Sequence, residues 1–412
     1  MLITRNLSFR FCLDHKGALL SFLLAIVCSA AGASASASQK KDYWNKQRAG
    51  ANCFNHRVDN AWFDAAKNRK IQFVRLTASK WDTKSRDFLI GNADNYTGIP
   101  PADLAELKRI LDMAQRHGIK IVLTPLSLPG ARWLQQNDDK PDHRLWQDND
   151  FQKQSVKFWA DLAAELKNHP AVVGYNIINE PAPERATKPR LNDSLTAEFS
   201  NWYQKHAKGN PADLNLFYKK VVAAIREVDK DTPIILDSGQ YATVNAFDYL
   251  EPIANDKGII YSFHQYEPAS YTNIRENGGK IRYPGRIKSE EDTRDWNAGE
   301  IKHYVGRVAS WAKKNEVPAN RILAGEFGVN RVAPGAAQFL ADNVAAFNAN
   351  GWHWAFYSFR EDTWEGMNYE LGSKKLEQDY YDDKAKGISK TLKLGDNTVF
   401  EPLKQGLEKC SK

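Results

Sequence analysis

Eight short apolar runs recur along the chain, and the interval between successive runs leaves room for a helix. Near-continuous apolar runs of this kind, rich in Ile, Val, Leu and aromatic residues, are typical of parallel β-strands buried on both faces. The runs are 49–54, 71–76, 119–124, 172–178, 233–238, 259–264, 322–327 and 353–359. We therefore predict eight parallel strands.

The segments between the runs have the spacing of amphipathic helices. In residues 101–118 the apolar side chains fall on one helical face, and Gly118 is placed to end the helix. That face comprises Leu104, Leu107, Ile110, Leu111 and Ala114. The same spacing recurs in 150–170, 214–231 and 335–351.

Eight strands that alternate with helices, with no sign of a second domain, predict one closed (β/α)8 barrel (TIM barrel) over residues 38–412. The composition, 42% hydrophobic and 26% charged, is that of a globular domain. The alternative is an open doubly wound sheet. That fold usually carries a Gly-rich phosphate loop after its first strand, and neither G-x-G-x-x-G nor a Walker loop is present.

Residues 1–37 have the pattern of a secretory signal peptide. Basic side chains precede the short apolar stretch 18–28, and a tract of small residues follows it. Cleavage is expected after Ala33, Ala35 or Ala37. A membrane anchor is the alternative, but the apolar stretch is short for a span. We expect a secreted or periplasmic protein without a stable membrane anchor.

The formal net charge of +7 is mild, and the basic residues are scattered among acids. No basic stripe of the kind that binds phosphate backbones is present, so no nucleic-acid partner is expected. Cys53 and Cys410 are the two cysteines that remain after the leader. A disulfide between them and two separate thiols both stay open.

Five of the eight predicted strands lead into polar or ionisable residues that are costly to bury. In a (β/α)8 barrel the carboxyl ends of all strands meet at one face, where catalytic residues lie. These residues are Arg75, Asn179, Glu180, His264, Tyr266, Glu326 and Tyr357. Their convergence on one rim predicts a functional site.

Glu180 and Glu326 follow the fourth and seventh strands, on opposite sides of the barrel mouth. Retaining glycoside hydrolysis uses such a pair, about 5–5.5 Å apart, as proton donor and nucleophile. The donor needs a pKa above the ordinary value of about 4.3. Arg75 and Tyr266 are placed to keep the other carboxylate ionised. For each Glu, a salt bridge within the barrel is the alternative.

With these motifs in order, the chain resembles glycoside hydrolase family 5, in the clan of retaining (β/α)8 glycosidases. The likeness runs from AGANCFN (49–55) to WEGMNYELG (364–372). It implies that Glu180 of N-E-P is the acid/base and that Asn179 binds the sugar 2-hydroxyl. It also implies that Glu326 of G-E-F is the nucleophile. The family's strand-two Arg matches Arg75, and its H-x-Y matches His264 and Tyr266.

Two positions depart from the family pattern. The segment LTPLSLPGARW (123–133) lacks the His that often closes strand three, and Tyr357 stands where a Trp is usual on strand eight. Both positions shape the subsite of the reacting sugar, so the mechanism carries over more safely than the substrate does.

Five tryptophans are predicted in loops or at loop edges, where aromatic rings can stack on sugars. They are Trp81, Trp133, Trp146, Trp296 and Trp364. Trp133 and Trp364 are the stronger candidates because they follow strands three and eight; the alternative for each Trp is a loop anchor. The long loops 265–297 and 361–399 are expected to form walls of the cleft.

We expect a monomeric retaining β-glycosidase of an endo-glucanase-like kind, acting on a glucan-type polysaccharide or oligosaccharide without a cofactor. A β-mannanase, an exo-acting β-1,3-glucanase and a barrel that binds sugar without cleaving it are the alternatives. With no H-E-x-x-H, Cys/His cluster or G-x-S-x-G in the sequence, neither a zinc site nor a serine hydrolase is expected. An ion held by loop Asp residues stays open.

Overall fold

Eight parallel strands close into a barrel. The computed structural model describes residues 40–188, 191, 196–273, 279–289, 292–388 and 390–412. The strands are β1 (Ala49–Cys53), β2 (Phe73–Leu76), β3 (Lys120–Leu123), β4 (Val172–Asn176), β5 (Ile234–Asp237), β6 (Ile259–Gln265), β7 (Gly285–Lys288), β8 (Thr293–Trp296), β9 (Ile322–Phe327) and β10 (His353–Phe356). In spatial order the barrel strands are β1-β2-β3-β4-β5-β6-β9-β10, and β10 pairs with β1. Each predicted run coincides with a barrel strand to within a few residues, and the predicted fold is confirmed. The predicted leader, 1–37, lies outside the described residues.

Helices pack around the barrel. They are α1 (Asn60–Asn68), α2 (Pro101–Arg116), α3 (Asn149–Leu166), α4 (Thr196–Trp202), α5 (Leu214–Val228), α6 (Ala298–Lys314), α7 (Ala336–Ala349), α8 (Gln378–Ala385) and α9 (Glu401–Cys410). One-turn segments lie at Gly239–Ala242 and Ala269–Thr272, and a π-helical turn at Tyr203–Ala207. Short 3-10 turns lie at Tyr43–Asn45, Leu134–Gln136, Arg144–Trp146, Pro183–Arg185, Asn245–Tyr249, Ala319–Arg321, Glu365–Met367 and Tyr369–Leu371.

Local sequence explains where the surrounding helices begin and end. Side-chain oxygens of Asp59, Asp148, Asp213 and Asn297 accept hydrogen bonds from the first turns of α1, α3, α5 and α6. Such a cap stabilises a helix by about 1 kcal/mol. Helix α2 buries most of its predicted apolar face, although Leu104 is only half-buried, and it ends two residues before Gly118.

Every barrel strand except β1 contributes one apolar side chain to the inside of the barrel. These side chains form one buried cluster of Phe73, Val122, Val173, Ile235, Ile260, Leu323 and Ala355 with Trp44. Trp44 precedes β1, and its ring contacts Phe73 and His353 edge-on. Its indole N–H also donates to the carbonyl of Val173 at 2.9 Å. Trp44 therefore closes the end of the barrel at which the strands begin. The functional face is therefore the opposite end.

The long segment after β6 contains an antiparallel hairpin, β7–β8, that the sequence analysis did not predict. Trp296 ends β8 and is buried, so its predicted place in a loop was wrong: cross-strand pairing and burial of the ring order this segment. The turn before the hairpin docks on the segment after β9. There the carbonyl of Tyr283 leaves no room for a Cβ on Gly335, whose φ is +88°.

The segment after β10 is tied to the barrel through a buried carboxylate. Glu370 accepts hydrogen bonds from Arg69 at 2.8 Å and from Arg360 at 2.6 Å. Cys53 in β1 and Cys410 in α9 are both free thiols. No helix in the described part of the chain is both long and apolar enough to cross a bilayer.

Candidate active site

Arg75 lies at the centre of the barrel mouth and is fully buried. Its Nη1 donates to Oε1 of Glu326 at 2.8 Å. The other oxygen of Glu326, Oε2, accepts a hydrogen bond from the Tyr266 hydroxyl at 2.9 Å. Both contacts expected around Glu326 are therefore present, and both favour its ionised form.

Three asparagine side chains orient the Arg75 guanidinium. Nη1 donates to Asn52 Oδ1 at 2.6 Å, and Nη2 donates to Asn176 Oδ1 at 2.7 Å and Asn179 Oδ1 at 3.0 Å. Asn52 and Asn176 come from β1 and β4 and were not singled out in the sequence. Asn179 was predicted to bind sugar, and here its amide oxygen is engaged by Arg75, which holds the side chain in one orientation.

Glu180 stands beside Glu326 at the rim, and about a fifth of its side chain remains exposed. Its Oε1 lies 2.9 Å from Nδ1 of His264, a hydrogen bond for which either group can supply the proton. Burial and the nearby negative charge of Asp237 raise the pKa of Glu180 to about 7, against the lowering effect of Arg75. A carboxyl with that pKa can both give and take a proton near neutral pH.

Two effects compete on the pKa of Glu326. Burial and the Glu180 carboxyl raise the pKa of Glu326, while His264 and Arg75 lower it, and the net direction is upward. Two adjacent buried carboxyls share their protons. The Arg75 and Tyr266 contacts favour the charge on Glu326, which leaves the proton on Glu180.

His264 lies between the two carboxyls. Its Nδ1 is 3.8 Å from Oε2 of Glu326 as well as 2.9 Å from Glu180. Burial lowers the pKa of His264, so the ring is neutral near pH 7. A Cβ at Gly325 would lie 2.6 Å from Ser262 Oγ and 3.2 Å from His264 Nε2, so glycine at this position gives both side chains room beside β9.

Among the described residues, Glu180, His264 and Glu326 form a group with metal-binding geometry. One ligand atom from each lies within 4.8 Å of the other two. The Arg75 guanidinium, 2.8 Å from Glu326, places a positive charge against any cation there. These side chains therefore fit proton transfer better than they fit a bound cation.

Asp237 is a buried carboxylate of the site that the sequence analysis did not single out. It ends β5, and its Oδ2 lies 3.6 Å from Arg75 Nη2 and 3.7 Å from His264 Nε2. The signal was available, because Asp237 closes the apolar run PIILDS as Glu326 closes ILAGEF.

Tyr357 and Trp364 form one side of the cleft. The Tyr357 ring is half-buried, with its centroid 5.4 Å from that of Phe54 and 6.3 Å from that of Trp364. Trp364 is 40% exposed, which leaves its face open to a ligand. Burial and the Glu361 carboxylate raise the pKa of Tyr357 well above its usual range, so it is a neutral hydrogen-bonding group.

The other predicted tryptophans divide into two groups. Trp81 and Trp146 are buried and pack edge-on against Phe88 and Phe217, as loop anchors do. Trp133 is half-buried, and its backbone N–H donates to Ser127 Oγ at 2.9 Å. Only Trp133 and Trp364 of the five keep substantial exposed surface.

Tyr241 is an exposed aromatic residue near Glu180 that the sequence analysis did not single out. It is 45% exposed, and its backbone N–H donates to the carbonyl of Pro181 at 3.2 Å. Gln240, Tyr241 and Ala242 all have φ between +49° and +62°, a strained left-handed conformation that is concentrated at functional sites. Tyr241 thus lies beside the residue that follows Glu180, and the Arg185 guanidinium lies 5.5 Å from the centre of its ring.

A model of the family "Cellulase (glycosyl hydrolase family 5)" matches residues 34–363. A curated β-xylosidase of Phanerodontia chrysosporium is 22% identical over 279 residues, which is 65% of this chain and 51% of the relative. The chain thus spans about half the length of that relative.

Solved structures share the fold. An endoglucanase matches with a TM-score of 0.59 and 20% identity, over 89% of this chain and 99% of that one. Endoglucanase Cel5A of Thermotoga maritima matches with a TM-score of 0.60 and 16% identity, over 86% and 96%. Cellulose synthase subunit Z of Clostridioides difficile matches with a TM-score of 0.58 and 18% identity, over 87% and 99%.

Proposed function

The chain belongs to glycosyl hydrolase family 5, and from that membership we propose that it is a retaining β-glycoside hydrolase acting on O-glycosyl bonds. The single observation that carries the stereochemistry is the spacing of two carboxyls. One oxygen of Glu180 and one of Glu326 lie within 4.8 Å of each other. Retaining enzymes hold their pair about 5–5.5 Å apart, whereas inverting enzymes need about 6.5–9.5 Å to admit a water.

In the first step Glu326 is the nucleophile. A carboxylate oxygen bonds to the anomeric carbon while the bond from that carbon to the leaving oxygen breaks. Glu180 gives its proton to the leaving oxygen, so the departing sugar leaves as an alcohol. Arg75 and Tyr266 orient Glu326 for the attack through their two hydrogen bonds.

In the second step Glu180 acts as a base. Esterification removes the negative charge of Glu326, which lowers the pKa of Glu180 and favours its ionised form. Glu180 takes a proton from water, and the water oxygen displaces Glu326 from the anomeric carbon. The sugar leaves with its original configuration, and both carboxyls return to their starting states.

For the substrate, we propose a β-linked glucan-type polysaccharide or oligosaccharide cleaved at internal bonds. Two exposed aromatic residues support this choice: Tyr241, beside the backbone of Pro181, and Trp364, whose ring centroid lies 6.3 Å from that of Tyr357. Separate platforms suit a chain of several sugars better than a single terminal residue. A β-mannanase and an exo-acting β-1,3-glucanase are the rivals; Thermotoga maritima Cel5A has been crystallised with mannotriose.

Reducing-sugar release from a panel of polymers tests the function. The panel contains β-1,4-glucan, mixed-linkage glucan, β-1,3-glucan, xyloglucan, β-mannan and xylan, with Glu326→Gln as the matched inactive control. Release that is absent from the control establishes hydrolysis and identifies the polymer. Tight binding to a polymer without release by the wild type would establish the sugar-binding alternative instead.

We also propose that residues 1–37 are a leader that is removed on export, leaving a monomeric catalytic domain from residue 38. The basic, apolar and small-residue order of this segment supports the proposal. Mass spectrometry of protein recovered from the periplasm or medium should give an N-terminus directly after Ala33, Ala35 or Ala37. Recovery of the full-length chain in the membrane fraction would support the anchor instead.

A further inference from the structure

Asp237 is fully buried at the end of β5, and its Oδ2 faces three groups of the site. It accepts a hydrogen bond from the backbone N–H of Glu180 at 3.4 Å. The same oxygen lies 3.6 Å from Arg75 Nη2 and 3.7 Å from His264 Nε2. Asp237 thus touches the residues that surround the proposed acid/base, while its own side chain is closed off from solvent.

The other oxygen of Asp237, Oδ1, is buried and has no hydrogen-bond partner among the described residues. An unpaired buried oxygen on a carboxylate destabilises a fold, because the oxygen has lost its hydrogen bonds to water and gained none in the protein. A carboxylate in this position is therefore a poor choice for stability alone. Its three neighbours, all in the proposed catalytic site, indicate what it contributes instead.

We propose that Asp237 is a positioning residue for the acid/base, acting on Glu180 through the Glu180 backbone amide and through the ring of His264. This inference rests on the role proposed above for Glu180. Asp237 can have this positioning role without contacting the substrate.

The first effect is on the backbone. Glu180 has a φ of +51°, in the left-handed region that a residue with a Cβ rarely adopts. Such a conformation persists only where surrounding contacts hold it. The hydrogen bond from the Glu180 N–H to Asp237 is one of those contacts, and it aims the Glu180 side chain at the rim.

The second effect is on charge. The charged and titratable groups around Glu180 are Arg75 from β2, Asp237 from β5, His264 from β6, Tyr266 just after β6, Glu326 from β9 and Tyr357 just after β10. Asp237 faces Nη2 of Arg75, and Glu326 faces Nη1. The guanidinium charge is thus divided between two carboxylates, and the charge of Asp237 helps Glu180 to keep its proton.

The kinetic test compares wild type with Asp237→Asn, an isosteric change that keeps an acceptor for the Glu180 amide and removes the charge. On a polymer or poor-leaving-group glycoside, the alkaline limb of the kcat/KM profile should move to lower pH by about one unit. On a dinitrophenyl glycoside, whose departure needs no proton, the first chemical step should change less than threefold. Asp229→Asn is the matched control, because Asp229 is buried in the turn before β5, at the opposite end of the barrel.

A titration that needs no substrate separates this proposal from the function it rests on. Carboxyl ¹³C NMR of glutamate-labelled protein, with the Glu180 signal assigned by its loss in Glu180→Gln, should show Glu180 titrating at lower pH in Asp237→Asn. If that titration and the alkaline limb are both unmoved, and both substrates lose activity equally, Asp237 is structural and the proposal is overturned. If the titration shifts while the wild type cleaves no glycoside, the effect of Asp237 on Glu180 stands and the proposed function falls.

Discussion

Arg75 and Glu326 form a charge-assisted hydrogen bond of 2.8 Å at the mouth of the barrel, and neither side chain is more than 5% exposed. They lie 251 positions apart in sequence and come from β2 and β9, which are not neighbours in the barrel. Removing one partner of a buried ion pair leaves the other charge uncompensated and typically costs about 3–5 kcal/mol. This pair therefore links the stability of the barrel to its proposed chemistry.

Arg75→Ala should lower both the stability and the activity. The free energy of unfolding should fall by about 3 kcal/mol or more, because Glu326 and Asp237 lose their shared cation. Hydrolysis should fall by at least about 10²-fold, since Glu326 would then hold a proton at neutral pH. Chemical denaturation and kcat/KM check this, and unchanged stability would contradict the described ion pair.

Glu326→Gln should reduce hydrolysis by several orders of magnitude while the protein stays folded. The amide is isosteric, and its single oxygen can still accept from Arg75 while its NH2 group faces the Tyr266 hydroxyl, but it is a poor nucleophile. Circular dichroism and a thermal melt verify folding, and reducing-sugar release measures turnover. Near-normal turnover would exclude Glu326 as the nucleophile.

Glu180→Ala should slow cleavage of the glycosidic bond most for substrates whose leaving group must be protonated as it departs. A nitrophenyl or dinitrophenyl glycoside should keep most of its rate of glycosyl-enzyme formation, while a polysaccharide should lose about 10²–10⁴-fold. Pre-steady-state kinetics isolate that step from the slow hydrolysis that follows it. Equal losses on both substrates would argue against Glu180 as the acid.

Activity should decline as pH rises through about 7, because Glu180 must hold a proton and its pKa is raised to about 7. The acidic limb should lie above pH 4.5, since burial raises the pKa of Glu326 from that ordinary value. The expected kcat/KM profile is a bell between these limits. Constant activity from pH 6 to pH 9 would contradict the raised pKa.

The raised pKa of Glu180 also has a consequence for stability. Unfolded Glu180 loses its proton near pH 4.5 and folded Glu180 near pH 7, so stability falls as pH rises between these values. Glu180→Gln cannot ionise, and its melting temperature should therefore exceed that of the wild type by a few degrees at pH 8. At pH 4 the two melting temperatures should agree.

The sequence alone determined the architecture and the main participants at the site. Strand runs and helical spacing are local patterns, and their alternation admits few folds, so the barrel was predictable from periodicity. The carboxyl ends of parallel strands meet at one face, so Arg75, Glu180, His264 and Glu326 could be expected together without knowledge of their contacts.

The tertiary structure decided which side chains support that site. Asn52 and Asn176 sit in apolar runs whose composition does not single them out. Asp237 follows an apolar run as Glu326 does, but the run does not show which groups Asp237 faces. All three lie beside Arg75 only because the barrel closes. Burial likewise separates Trp81 and Trp296, which are anchors, from the exposed Trp364. Periodicity is a property of neighbours in sequence, whereas hydrogen-bond partners and exposure depend on segments hundreds of residues apart, and only folding brings these together.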